Sequence, residues 1–136
     1  MMPSRVILID DDEDDAYLFR LALESLSQQV ELMHINDSEL AIKTLSDPTF
    51  RPPDFLFLDW NMPKLDGGQC LVLIRSLPGY ATVPIVVLST AEDDEIKSVA
   101  RELGATYFIL KPPNIEELTV KLDVLFKSYE TKLNAQ

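Results

Sequence analysis

The sequence predicts an α/β fold in which a buried, parallel sheet of five strands carries helices on both faces. Four short and almost purely apolar runs lie at residues 6–9, 55–58, 85–88 and 108–110, and a less pure fifth run covers residues 30–35. Continuous apolar runs of this length are typical of strands buried on both faces. Segments with helical spacing separate the runs, and this alternation of strand and helix indicates a parallel sheet.

Five helices are predicted, one after each strand, from apolar residues spaced three or four positions apart. In chain order they are marked by Phe19, Leu23 and Leu26; by Leu40, Ile42 and Leu45; by Leu71, Ile74 and Leu77; by Ile96, Val99, Ala100 and Leu103; and by Ile115, Leu118, Leu122, Leu125, Phe126 and Tyr129. Asp37 or Ser38 is placed to cap the second helix, and Gly104 to end the fourth. Pro52 and Pro53 break the chain before the third strand.

The length and composition predict one domain, residues 1–136, with no effector domain attached, because the 136 residues suit a single core and contain no linker or repeat. Twelve Lys and Arg against 23 Asp and Glu give a formal charge of −11, which disfavours nucleic acids and anionic membranes as partners. Cys70 is the only cysteine, which excludes an internal disulfide, and no apolar stretch is long enough to span a bilayer. We therefore expect a cytoplasmic protein.

Polar residues follow four of the predicted strands. In strand order they are Asp10, Asp11 and Asp12; then Asp59; then Ser89 and Thr90; and finally Lys111 and Pro112. Ligands of open parallel sheets bind outside the carboxyl ends of the strands, so these side chains are expected to share one edge. Clustered carboxylates suit an oxygen-ligated cation such as Mg²⁺, and a strand-end carboxylate can attack phosphorus as a nucleophile. The acidic run could instead be a solvated helix start, and Asp15 fits a helix N-terminal charge better than a ligand.

Four of these features together resemble the receiver domains of response regulators. They are the segment DWNMPKLDG at residues 59–67, the acids after the first strand, the Ser89-Thr90-Ala91 segment and the Lys111-Pro112 pair. The resemblance covers almost the whole chain. It implies a flavodoxin-like (βα)5 fold with the strand order 2-1-3-4-5. It also raises the expectation of a cis bond between Lys111 and Pro112.

The resemblance implies that Asp59 is the phosphoacceptor of a site that uses Mg²⁺. The ion would be bound by Asp11, by the Asp59 carboxylate and by the backbone carbonyl of Asn61, with Asp10 acting through a metal-bound water. Asp12 enlarges the acidic cluster beyond what such a site requires, so either Asp10 or Asp12 is the second acid.

Three further roles follow from the same resemblance. Ser89 would donate its hydroxyl to the phosphoryl group, Lys111 would pair with that group, and Phe108 would be an aromatic rotamer switch. Two of these assignments stay open, because Thr90 competes with Ser89 and because Phe108 fits a plain core residue equally well. Ala91, two residues after Ser89, has no polar group to orient water, which leaves the rate of self-dephosphorylation open.

The implied function is that of a signalling switch in a two-component phosphorelay rather than of an enzyme. A sensor histidine kinase or a phosphotransfer protein would donate the phosphoryl group, and the affinity for an unknown downstream protein would change. A homodimer through the last two strand and helix elements, near Phe108 and Tyr129, is a further possibility. The alternatives are a binding module that works without phosphorylation and an aspartyl phosphatase, which Asn61 disfavours because such enzymes need an acid there. His34 is assigned a structural role.

Overall fold

The chain alternates strand and helix five times. The structure, a computed structural model, describes residues 2–91 and 93–134, with side chains to residue 130. The strands are β1 (Arg5–Ile9), β2 (Glu31–Ile35), β3 (Phe55–Asp59), β4 (Ile85–Ser89) and β5 (Tyr107–Leu110). The helices are α1 (Glu13–Leu26), α2 (Ser38–Ser46), α3 (Gly67–Arg75), α4 (Asp94–Glu102) and α5 (Ile115–Asn134).

All five strands are parallel and form one sheet in the order β2-β1-β3-β4-β5, as predicted. The register brings the carboxyl ends of the strands to the same level: Ile9 pairs with Leu58, Asp59 with Leu88, and Ser89 with Leu110. The residues that follow β1, β3, β4 and β5 therefore meet at one edge of the sheet.

The strands are buried on both faces because each face has its own layer of helices. Alternate strand residues, such as Leu56 and Leu58 of β3, pack with apolar residues of α2, α3 and α4. The intervening residues, such as Phe55 and Phe57, pack with α1 and α5. The ring of Phe57 lies edge-on to Phe19 of α1, with centroids 4.8 Å apart. This two-sided burial explains why the strand sequences are continuously apolar rather than alternating.

Aspartate side chains cap four of the helices, which fixes where the helices begin after each strand. Asp12, Asp37, Asp66 and Asp93 each accept a hydrogen bond from a backbone N–H in the first turn of the helix that follows. Of the two predicted caps for α2, Asp37 is the correct one. Gly104 follows α4 with φ of +114°, a backbone conformation that favours glycine, so the predicted helix end is also confirmed.

Two further features bear on the predictions about the chain. Cys70 is fully buried on α3, and burial raises the pKa of its thiol to about 11. Among the described residues, no helix is both long enough and apolar enough to cross a membrane.

Candidate functional site

Three carboxylates meet at the carboxyl edge of the sheet. Asp59 ends β3 and is 4% exposed, Asp10 directly follows β1 and is 1% exposed, and Asp11 is exposed beside them. Each offers a carboxylate oxygen, and the three oxygens lie within 4.8 Å of one another. Because β1 and β3 are neighbours in register, the strand pairing itself brings Asp10 next to Asp59.

Asp12 does not join this group, although it directly follows Asp10 and Asp11 in the sequence. Its Oδ1 accepts hydrogen bonds from the backbone N–H groups of Asp14 and Asp15, at 2.9 and 3.1 Å. The Asp12 side chain is therefore turned to the start of α1. Of the two candidates for a second acid, Asp10 lies beside Asp59 and Asp12 is a helix cap.

Lys111 follows β5 and reaches across to these carboxylates. Its Nζ lies 2.8 Å from Oδ2 of Asp15, 3.0 Å from Oδ2 of Asp10 and 3.3 Å from Oδ1 of Asp59. Burial alone would lower the pKa of Lys111, but the three carboxylates outweigh it and raise that pKa. The ammonium is therefore charged, and it lies between Asp15 on one side and Asp10 and Asp59 on the other.

The expectation of a cis Lys111-Pro112 bond is wrong, since the described residues contain no cis peptide bond.

The contact between Lys111 and Asp15 was missed by the sequence reasoning, which treated Asp15 as a charge at a helix start. A signal was present in the sequence. Asp15 precedes Phe19 by four residues and Ala22 by seven, so it lies on the helix stripe that faces the sheet.

Burial makes Asp59 and Asp10 hard to ionise in the absence of a cation. Burial, together with the charge of Asp10, raises the pKa of Asp59 from 3.8 to about 7, and Lys111 only partly opposes this. Burial also raises the pKa of Asp10. Asp10 and Asp59 share the Lys111 ammonium with Asp15, and a further positive charge beside Asp10 and Asp59 would favour their ionised forms.

Ser89 ends β4, and its fully buried hydroxyl is engaged by its own turn. The hydroxyl donates to the carbonyl oxygen of Ala91 at 3.1 Å and accepts from the backbone N–H of Ala91 at 3.2 Å. The backbone N–H of Lys111 donates to the Ser89 carbonyl at 2.7 Å, which holds the two strand ends together. Thr90 is exposed, so of the two hydroxyl candidates Ser89 is the one inside the protein.

The loop after β3 is held against the site by its neighbours. The backbone N–H of Asn61 points to Oδ1 of Asp59 at 3.4 Å, while the Asn61 residue is exposed. Gly67, at the start of α3, packs so closely on this loop that an added Cβ would lie 2.6 Å from Cα of Trp60. Ser38 is 2% exposed, donates to the carbonyl oxygen of Pro63 at 3.1 Å and accepts from the backbone N–H of Leu65 at 3.1 Å. The sequence predicts Ser38 only as a candidate helix cap, because the loop that it anchors is 25 to 27 residues away in the chain.

Phe108 and His34 lie at the margins of the site. Phe108 is half-buried in β5 and packs against the core on the α2–α4 face, with Nζ of Lys97 5.8 Å from its ring centroid. This position is compatible with Phe108 as a rotamer switch and with Phe108 as a plain core residue, so the switch stays a prediction.

His34 donates from Nε2 to the backbone carbonyl of Asp10 at 2.7 Å. Its contact steadies the backbone of Asp10, in keeping with a structural role.

Comparison with known proteins identifies the family. The profile of the response regulator receiver domain matches residues 6–123. The KDP operon transcriptional regulatory protein KdpE of Escherichia coli is 29% identical over 126 residues, which are 93% of this chain and 52% of KdpE. The chain thus spans about half the length of that relative.

Two cyanobacterial regulators match over most of both chains. The structure of the phosphorylated phytochrome response regulator RcpA superposes with a TM-score of 0.81 at 26% identity, covering 91% of each chain. Response regulator Rcp1 of Synechocystis is 27% identical over 120 residues, which are 85% of this chain and 82% of Rcp1. The structure of its Mn²⁺-bound form superposes with a TM-score of 0.76, covering 88% of this chain and 89% of that one. With its strand order, its acidic strand ends and this profile match, the chain belongs to the response regulator receiver domain family.

Proposed function

We propose that the protein accepts a phosphoryl group on Asp59 and thereby changes its affinity for another protein. The observation that carries the proposal is the position of Asp59. It is a buried carboxylate at a strand end, grouped with Asp10 and Asp11 and 3.3 Å from the ammonium of Lys111. A carboxylate with a cation beside it and room for a metal is suited to attack on phosphorus.

The residues present fit a Mg²⁺ ion. Asp10, Asp11 and Asp59 supply oxygen atoms within 4.8 Å of one another, and oxygen ligands are those that Mg²⁺ prefers. The raised pKa of Asp59 gives a second reason, because a bound cation would relieve the repulsion between Asp59 and Asp10. Asp11, the Asp59 carboxylate and the backbone carbonyl of Asn61 would hold the ion, with Asp10 acting through a water. When bound, Mg²⁺ supplies positive charge to the phosphoryl oxygens and to the carboxylates.

The protein's own residues would carry the transfer step. A carboxylate oxygen of Asp59 forms a bond to phosphorus while the bond from phosphorus to the donor histidine nitrogen breaks, and the released imidazole takes up a proton. The Lys111 ammonium donates hydrogen bonds to the phosphoryl oxygens. The Ser89 hydroxyl, released from the carbonyl of Ala91, donates to another of them. Thr90 is less suited to this role because it is exposed.

The donor would be the phosphohistidine of a sensor histidine kinase or of a phosphotransfer protein. RcpA, which superposes on this chain, is a response regulator whose structure was solved in the phosphorylated form, and this supports phosphorylation as the chemistry of the site. The downstream partner is a protein not yet identified.

Val120 and Val124 of α5 are exposed beside Tyr107 and Ile109 of β5, and this apolar surface supports a homodimer through the last strand and helix.

Treatment with a small acyl phosphate, with and without Mg²⁺, tests the proposal. The intact mass should rise by one phosphoryl group only with Mg²⁺, and the Asp59→Asn variant should stay unlabelled. Asp14→Asn is the control. Asp14 is an exposed acid at the start of α1, near the site but outside the acid cluster, so this variant should label at the wild-type rate. Measuring the size in solution of the same samples tests the dimer. Labelling of Asp59→Asn at the wild-type rate would refute the assignment, and a wild type that never labels would favour a binding module that works without phosphorylation.

A further inference from the structure

Asp15 makes the shortest contact to the ammonium of Lys111. The distance from Nζ to Oδ2 of Asp15 is 2.8 Å, compared with 3.0 Å to Asp10 and 3.3 Å to Asp59. Asp15 also differs in where it stands, because it belongs to α1 and lies outside the cluster formed by Asp10, Asp11 and Asp59. A contact from outside that cluster can persist when the clustered carboxylates turn towards a cation or a phosphoryl group.

Packing alone does not fix the position of the Lys111 side chain. A cavity of about 30 Å³ lies between α1 and α5, and Asp15, Lys111, Pro112 and Asn114 all contribute to its wall. A space of this size holds a water molecule or admits part of a shifted side chain. The ammonium therefore has room to move, and its place is set by the carboxylates that bind it.

A helix N-terminal charge would be a simpler role for Asp15, but it does not explain the contact. Glu13, Asp14 and Asp15 all lie in the first turn of α1, so the negative charge of each interacts favourably with the helix dipole in the same way. Of these three, Asp15 is hydrogen-bonded to the ammonium of Lys111. Comparing substitutions of Asp14 and Asp15 therefore separates the loss of a charge at the helix start, which both share, from the loss of the contact to Lys111, which only the Asp15 substitution causes.

We propose that Asp15 is a positioning residue that holds the Lys111 ammonium beside Asp59 for phosphoryl transfer. An ammonium has three protons to donate. In the structure one proton is donated to Asp15 and a second to Asp10. The third is left for the edge of the pocket where Asp59 and the incoming phosphoryl oxygens lie. The inference rests on the proposed function, since it concerns the transfer to Asp59.

The test compares labelling rates at saturating acyl phosphate and saturating Mg²⁺. The Asp15→Asn variant should label about fivefold more slowly than wild type, a modest effect because Asp15 is partly exposed and its ion pair is screened. Asp14→Asn removes the same charge one residue earlier and should label at the wild-type rate. Asp15→Glu keeps the carboxylate and should recover part of the loss.

Two further measurements separate positioning from a general structural effect. The Mg²⁺ affinity, measured by titrating Trp60 fluorescence, should change equally in Asp15→Asn and Asp14→Asn, because both remove one nearby charge. A crystal structure of Asp15→Asn with Mg²⁺ bound should have Nζ of Lys111 displaced from its wild-type position beside Asp59. A labelling rate that is unchanged or faster in Asp15→Asn overturns the inference, as does a slower rate with Lys111 unmoved. If wild type itself does not label, the proposed function fails; if wild type labels and Asp15→Asn equals it, only the role of Asp15 fails.

Discussion

Raising the pH should destabilise the metal-free protein, because Asp59 holds its proton more tightly in the folded chain than in the unfolded chain. The folded pKa is about 7, against an ordinary value of 3.8. Between these values the folded state binds more protons, so the free energy of unfolding falls as the pH rises, and the fall ends above about pH 7. The interval from about pH 5.5 to the folded pKa is about 1.5 units, which corresponds to about 2 kcal/mol at 1.36 kcal/mol per unit.

Urea denaturation followed by the fluorescence of Trp60 measures this effect. Wild type and Asp59→Asn are compared in a chelator at about pH 5.5 and pH 8, so that the contribution of the other acids largely cancels in the difference. Wild type should lose about 2 kcal/mol more than the variant over this interval. Saturating Mg²⁺ should remove most of the extra loss, because the ion favours the ionised acids. Equal losses in the two proteins without Mg²⁺ would show that the pKa of Asp59 is not raised in the folded protein.

Three substitutions test other parts of the molecule. Tyr80→Phe should leave the protein equally stable or up to about 1 kcal/mol more stable in urea, because the buried Tyr80 hydroxyl has no hydrogen-bond partner among the described residues. Arg75→Lys should cost about 2 kcal/mol, because the Arg75 guanidinium donates to the carbonyls of Tyr80 and Gly104 and an ammonium cannot span both. Ser89→Ala should slow acyl phosphate labelling about tenfold or more and Thr90→Ala should leave it near wild type, since only the Ser89 hydroxyl is inside the protein. A destabilised Tyr80→Phe, a harmless Arg75→Lys or equal labelling of the two hydroxyl variants would each contradict its premise.

The strands and the edge that carries the site were predictable from the sequence because burial on both faces leaves a simple pattern. A strand with helices above and below must be apolar at every position, and the first polar residue after it marks the carboxyl end. The order of the strands in the sheet could not be predicted in this way. Apolar periodicity records burial but not which strand lies beside which, so the order came from the resemblance to a family.

The choice between Asp10 and Asp12 and the contact of Asp15 could not be settled by counting residues after a strand. Asp12 turns its side chain to the first backbone N–H groups of α1, and this local bond takes it out of the acid cluster. Asp15 reaches Lys111 because α1 packs on the same face of the sheet as α5, the helix into which the chain leads after Lys111, and this arrangement depends on the tertiary structure. The helix stripe through Phe19 predicts the direction of Asp15 but not its partner.

The arrangement of Ser89 indicates where a change at Asp59 would be felt. Its hydroxyl is bonded to both backbone groups of Ala91, so drawing it towards a phosphoryl group would break those bonds and free Ala91, which precedes α4 in the chain. Ala100 is the only fully buried residue of α4, whereas α1 buries four. Few buried contacts make an element easy to displace. Under the proposed function we therefore expect α4 to be the flanking helix that is displaced most easily, and Phe108, packed on the same face of the sheet, to move with it.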